Sequence, residues 1–404
     1  MQKIFKTIIV GGGAAGLLAA VELLSGSDCL KGDEVLILER NDRVGKKLIA
    51  TGNGQGNLTN VNIGDEYYYG DKNFIAQFIE QEKRIDLKKY FNGLSIPLGG
   101  GKDGRLYPLS KQASAVLDVI RAYLEFKGCT VVTGKKVTAI EKSADGFTVF
   151  HDKEKFTAKA VIMATGGKAG KQFGTDGTAY ALAEKLGHKT TELYPSLVQI
   201  KTETESIKGL KGLKETACVT AFSGAKPLKS ATGDLLFTEF GVSGSAAFTV
   251  SAAIAGLKDV YLIAEFLPDL SFSETEKILE DRMQKPYFKK EDLLCGVLNK
   301  RVGQAVIKAA RSFTANDIAY AIKNFKLKIK GTLDFNYAQV TRGGIKTDKI
   351  NPLNYESKLA KNLYIVGEAL DVDGDCGGYN LTFAFVSGII AAKDVKKKIN
   401  KGVK

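Results

Sequence analysis

The chain has 404 residues, 44% hydrophobic and 25% charged, a balance that excludes a disordered or fibrous protein and allows two or three domain-sized cores. A net charge of +13 admits a polyanionic partner, but only nine of the 58 basic residues are Arg, the side chain that grips phosphate bidentately, so a solvated lysine-rich surface explains it as well. Five scattered Cys without a CxxC pair and two isolated His, His151 and His188, exclude a disulfide framework and a histidine metal site, and point to a reducing, cytoplasmic compartment.

In chain order, residues 5–10 are a short apolar run ending at Gly11, the pattern of a buried parallel strand. Residues 14–24 follow as a helix that begins on small side chains, and residues 34–38 as a second buried strand. This βαβ order opens a doubly wound sheet. Residues 1–24 also have the outline of a secretion signal, with Lys3, Lys6 and a closing Ala19–Ala20 pair, yet cleavage would remove the glycines that give the first turn its chemistry. No apolar run approaches about 18 residues, so no membrane span is expected.

Further along, residues 114–127 predict a helix, 130–132, 147–150 and 159–164 strands, and 177–186 a helix behind Thr175 and Asp176. From about residue 191 the texture changes. Strands are predicted at 193–200, 217–222 and 260–266, with a basic loop at 208–214, then helices at 271–284, 290–298, 302–310 and 314–325. A buried strand returns at 362–366, before Gly-rich loops, a small-residue helix at 381–392 and a basic, solvated helix end at 393–404. The pattern predicts an α/β protein: a doubly wound Rossmann-like domain made of residues 1–190 and 345–404. An inserted β-barrel-plus-helical substrate domain interrupts it over 191–344.

Gly11, Gly13 and Gly16 form a GxGxxG at a strand-to-helix turn, with Glu39 at the end of the next strand. Such glycines permit a tight turn, backbone approach to a pyrophosphate and close helix packing, and the carboxylate accepts from ribose hydroxyls. Two more Gly-rich elements lie at residues 43–57 and 366–380. Glycine-rich sites at both chain ends, with an insert between, fit a two-domain flavoprotein better than an NAD dehydrogenase.

Together the 11–16 turn, residues 43–57, the Ala164–Gly167 turn, Thr341–Gly344 and the block from Gly367 to Gly388 resemble the BaiN-like (YhiN-type) FAD-dependent oxidoreductases over essentially the whole chain. The resemblance implies FAD contacts at Gly11, Gly13, Ala15, Gly16, Glu39, Arg40, Lys46, Asn53, Gly367, Asp371, Asn380 and Leu381. Arg342 departs from the family pattern, where a small residue is commoner.

Hydride chemistry belongs to the flavin, and the protein positions, polarises and excludes water. Candidate groups for the reaction are Thr341, Arg342, Cys376, Tyr379 and Asn380. Arg342 suits an anionic substrate or a reduced flavin, while Cys376 or Tyr379 would donate the proton that completes reduction of a C=C bond. The resemblance implies one of two reactions: small-molecule reduction or amine oxidation, or reduction of a uridine in large-subunit ribosomal RNA to dihydrouridine. In the RNA reading, residues 208–214 and 323–330 are the contact surfaces. A flavin-holding protein without turnover is the third reading. With no second GxGxxG, NAD(P)H is expected to dock only transiently.

Overall fold

The computed structural model describes residues 3–401. They form two compact units, one running up to Leu193 and resuming at Val340, the other Tyr194–Gln339.

In the first unit, β1 (Ile4–Val10) turns into α1 (Ala14–Leu23), and the chain returns as β2 (Val35–Leu38), whose four residues are all buried. A strand covered on both faces has no polar side to alternate with, hence its unbroken apolar run. Next come α2 (Lys72–Ile85), α3 (Ala113–Phe126), β3 (Thr130–Val132), β4 (Ala139–Ser143), β5 (Gly146–His151), β6 (Glu154–Met163) and α4 (Thr178–Lys185). In space the parallel strands run β3-β2-β1-β6. The first half of β6 pairs antiparallel with β5, which pairs in turn with β4.

The second unit contains β7 (Ile200–Thr202), β8 (Lys214–Ser223), β9 (Lys226–Phe237), β10 (Gly241–Ser243), α5 (Ser245–Ile254), β11 (Val260–Phe266), α6 (Phe272–Met283), α7 (Lys300–Ala309), α8 (Ala315–Lys323) and β12 (Phe325–Thr332). Its six strands close into an antiparallel barrel, β7-β10-β9-β8-β11-β12, with β12 pairing back onto β7. Ala217, Val219 and Ala221 on β8 and Leu262, Ala264 and Phe266 on β11 alternate inward and are fully buried, the period-two signature of a strand with one dry face.

The strand expected over 193–200 is broken, because Leu197 takes a left-handed backbone with φ +51°. The helix expected over 290–298 is a single turn at Lys290–Asp292 followed by irregular chain, and Gly296 sits at φ +79°. In residues 323–330, Lys323 ends α8, ion-pairs with Glu265 and donates to two carbonyls, whereas Lys326, Lys328 and Lys330 are exposed on the outer face of barrel strand β12. In the 208–214 loop, Lys211 and Lys214 are paired with Glu239 and Asp234.

On return to the first unit, β13 (Leu363–Ile365) pairs parallel with the second half of β6, and α9 (Tyr379–Lys401) packs on α1. The contact is close enough that a Cβ on Gly388 would lie 2.3 Å from the Ala15 carbonyl oxygen, so no other residue fits there. The expected solvated helix end is otherwise. Lys396 is buried, its Nζ 3.0 Å from Glu22 on α1, and Lys398 pairs with Glu356 and Asp394. Gly402, Val403 and Lys404 lie outside the described residues.

Tyr90 donates to the second oxygen of Glu22, and Lys396 also lies 3.4 Å from Asp28, so removing Lys396 leaves the buried Glu22 carboxylate without this cation. Lys396→Met is expected to cost about 3–5 kcal/mol, and the double change Lys396→Met with Glu22→Gln markedly less. Urea unfolding of both variants measures this; equal losses would show that the pair is not coupled.

Candidate active site

The turn after β1 is shaped by backbone contact. Gly11 has φ +108°, and a Cβ there would sit 2.4 Å from the Ala164 carbonyl oxygen at the end of β6. Two residues on, Gly13 is the N-cap of α1, with no side chain capping the helix, and a Cβ at Gly13 would meet nothing within 4 Å. The first amides of a helix lack intrahelical partners and carry its positive dipole end. Open space in front of an uncapped N-terminus is the setting in which a phosphate binds. The Thr165 hydroxyl, on the residue that crosses Gly11, is buried without a hydrogen-bond partner.

At the end of β2, Glu39 is buried. Its Oε2 accepts from the Gly12 N–H at 2.8 Å, and its Oε1 from the Asn41 backbone and side-chain amides, each at 2.8 Å. A carboxylate has about four lone-pair sites; three are taken, leaving acceptor capacity for a hydroxyl. Arg40 turns to Asp176 at 2.6 Å, and Lys136 reaches the same carboxylate at 3.1 Å. Burial raises the Asp176 pKa, but hydrogen bonds from Arg40, Thr178 and Lys136 outweigh it and hold the carboxyl well below the usual range.

Segments far apart in sequence are knotted at Glu368. Its Oε2 accepts from Lys47 Nζ at 2.6 Å, and its Oε1 from the Thr341 N–H and hydroxyl at 3.0 and 3.1 Å. The Thr341 oxygen in turn accepts from the Lys168 and Ala169 amides, at 2.8 and 2.9 Å, so its donor and both lone pairs are used. Lys47 also donates to the Ala169 carbonyl. The loops at 47, 168–169, 341 and 368 are thereby held as one piece.

The GGYN loop docks on the strand Thr59–Asn60. Asn60 donates to the Gly377 carbonyl at 3.0 Å, the Thr59 and Thr382 hydroxyls lie 2.7 Å apart, and Tyr68 OH donates to the Tyr379 carbonyl. The Tyr379 ring stacks on Tyr67 with centroids 4.5 Å apart. Burial, then Tyr67 and Asp375, keep the Tyr379 hydroxyl above the ordinary tyrosine range. Burial also pushes the Cys376 thiol up, with Arg105 pulling part of the way back. Arg342 lies over the Tyr69 ring, 3.8 Å from its centroid, with Nε 2.7 Å from a carboxylate oxygen of buried Asp373. Its Nη2 is covered from solvent and has no hydrogen-bond partner.

Other residues singled out in the sequence are spread over the same unit. Ala15 is buried beneath Gly367 and Gly388, and Gly16 packs against the Gly11 carbonyl. Lys46 ion-pairs with Asp42 at 2.6 Å. Asn53 holds a left-handed turn at φ +53°. Burial raises the Asp371 carboxyl above the usual range. The Asn380 side-chain amide is spent on the Gly374 N–H and carbonyl and the Asp375 carbonyl, so it staples the loop. Leu381 is half-buried on α9. The sequence reading passed over Lys47, Glu368, Tyr67, Tyr69 and Asp373. A run of three tyrosines at 67–69 was the available signal; nothing local sets Lys47 apart from Lys46.

Comparison with known proteins decides the family. The family model described as HI0933-like protein Rossmann domain matches residues 5–394. The chain belongs to this family. A 3-dehydro-bile acid delta(4,6)-reductase of Clostridium scindens is 36% identical, over 95% of this chain and 97% of its own. A ribosomal RNA dihydrouridine synthase of Haemophilus influenzae is 25% identical, over 98% of this chain and all of its own. Among solved structures, the 3-ketosteroid-delta4-(5alpha)-dehydrogenase of Rhodococcus jostii shares the fold at a TM-score of 0.53 and 13% identity, covering 98% of both chains. The HI0933-like chain is an FAD-dependent oxidoreductase. No helix among the described residues is long and apolar enough to cross a membrane.

The depressed Asp176 carboxyl sets a pH dependence. Its contribution to stability is present above its unfolded pKa, about 3.9, and is lost as pH falls through the folded value. Asp176→Asn is therefore expected to lower the thermal midpoint at neutral pH, with the gap to wild type closing below about pH 4. A gap that is constant with pH would rule out this ion pair as its source.

Proposed function

We propose that this enzyme reduces a carbon–carbon double bond conjugated to a carbonyl group. The reading is carried by Arg342 Nη2, a buried donor without an acceptor. A covered, unmatched N–H costs about 1–3 kcal/mol, and a substrate carbonyl oxygen would remove that cost. When hydride reaches the far carbon of such a bond, negative charge builds on that oxygen, and a guanidinium fixed by Asp373 and Tyr69 stabilises it without rearranging. The names of the two relatives support the same chemistry. A 3-dehydro delta(4,6) steroid is a dienone, and the bond saturated in dihydrouridine is conjugated to a ring carbonyl.

FAD, once reduced by an external donor, would supply the hydride when bound. The uncapped α1 N-terminus and Gly13 would hold its pyrophosphate and Glu39 a ribose; Thr165, with its unpartnered hydroxyl, and the loops gathered on Glu368 would close around the remainder. We assign the matching proton to Cys376, whose raised pKa keeps the thiol protonated at neutral pH. Tyr379 is assigned to packing, because its ring is stacked on Tyr67. NAD(P)H is the expected electron source, docking transiently. A small conjugated ketone is the favoured substrate, because the 36% identical relative acts on one. Uridine in ribosomal RNA is the second reading, favoured by the net charge of +13.

FAD-loaded protein, reduced under anaerobic conditions, tests this. A steroid enone or a uridine-containing RNA is expected to restore the oxidised flavin spectrum, while the saturated analogue leaves it reduced. If neither substrate reoxidises the flavin, the reading fails. Arg342→Met is expected to slow substrate-driven reoxidation by about 10²–10³, and Cys376→Ala by about 10²–10⁴. Neither should change flavin content.

A further inference from the structure

The second unit carries a groove of about 450 Å³ where α7 ends and the chain turns into α8, lined by Lys290, Gln304, Lys308, Arg311, Ser312 and Phe313 among others. That volume falls within the range of small-ligand pockets, about 300–1,000 Å³. Its lining holds three cations against one carboxylate, Glu291. Five other lysines of this unit are answered by carboxylates: Lys211 by Glu239, Lys214 by Asp234, Lys300 by Asp292, Lys323 by Glu265 and Lys328 by Glu203. Among the described residues, Lys290, Lys308 and Arg311 have no carboxylate partner. A helix C-terminus favours a cation in its last turn, which accounts for Lys308 but not for three converging charges.

Two of these cations lie against aromatic rings. Lys290 Nζ lies 4.8 Å from the Phe313 ring centroid and the Arg311 guanidinium 5.6 Å from that of Tyr320. A ring face orients a cation without cancelling its charge. Phe313 is 40% exposed, leaving ring surface for a second planar group. Convergent positive charge beside an open aromatic ring is the combination that binds a phosphate joined to a base, by charge neutralisation and stacking together.

We propose that this groove binds a nucleotide unit, its phosphate on Lys290, Lys308 and Arg311 and its base against Phe313. The unit is either a free nucleotide or part of a single strand. The proposal does not rest on the double-bond reading, since the three substitutions below are exposed and leave flavin loading and enone reduction measurable.

Adenosine 5′-monophosphate, a short fluorescent oligouridylate and inorganic phosphate serve as probes, titrated at several salt concentrations. The double variant K308E/R311E is expected to weaken nucleotide binding at least about tenfold and to flatten its salt dependence. Phe313→Leu is expected to weaken nucleotide binding about fivefold or more while leaving inorganic phosphate unchanged. Binding of the monophosphate identifies a free nucleotide as the ligand, and binding of the oligonucleotide alone identifies a strand; each supports the site. Unchanged affinity in K308E/R311E, or inorganic phosphate bound as tightly as the monophosphate, overturns it.

Discussion

The first unit depends on the closure of two chain ends that lie more than three hundred residues apart. Lys47 and Glu368, 321 positions distant, are in direct contact, as are Asn60 with Gly377 and Glu22 with Lys396. A long closed loop costs little more than a short one, since the entropy grows only with the logarithm of length. The intervening chain also folds into a unit with its own barrel core, so much of that length is not flexible loop. Interrupting a Rossmann-like unit here is therefore inexpensive, provided the returning segment finds a specific seat. The missing side chain at Gly388 and the ion pair at Lys396 provide it, one by shape and the other by charge.

Charge around the candidate active site comes in compensated sets. Asp176 answers Arg40 and Lys136, Glu368 answers Lys47, and Asp373 answers Arg342. Each set is partly buried, where an unpaired charge would be costly. The consequence is rigidity: loops without regular structure hold fixed positions because their cations have one place to go. Arg342 is the exception that matters, balanced in charge by Asp373 yet short of an acceptor at Nη2. Charge balance keeps it folded in place, and the unmet hydrogen bond leaves it chemistry to perform.

How much of this was legible in the sequence depends on whether the signal was local. Strands β1, β2 and β13 and the second half of β6 read clearly because a strand buried on both faces is an apolar run, and the 11–16 turn because only glycine tolerates its backbone. Strand β9 did not, since it contains Pro227 and Gly233, residues that ordinarily argue against a strand interior. The lysine-rich end of helix α9 looked solvated, and only the distant Glu22 explains a buried Lys396. The same limit hid the roles of Lys47 and Glu368, whose meaning lies entirely in partners remote in the chain. It also hid the fate of Lys323, which is consumed by Glu265 and the carbonyls of Leu267 and Leu270.

The closed barrel constrains how the second unit can recognise anything. A sheet with both edges paired offers no free N–H and C=O ladder, so addition of a partner strand is unavailable to it. Inward-facing residues on β8 and β11 are apolar and fully covered, so this interior is core rather than a ligand cavity. Recognition by this unit is left to the side chains of its outer surface and of its helices and turns. There, Lys211, Lys214, Lys300, Lys323 and Lys328 are already matched by carboxylates. The informative cations are those whose neighbours are rings instead of acids, because their charge is held in position and still unspent.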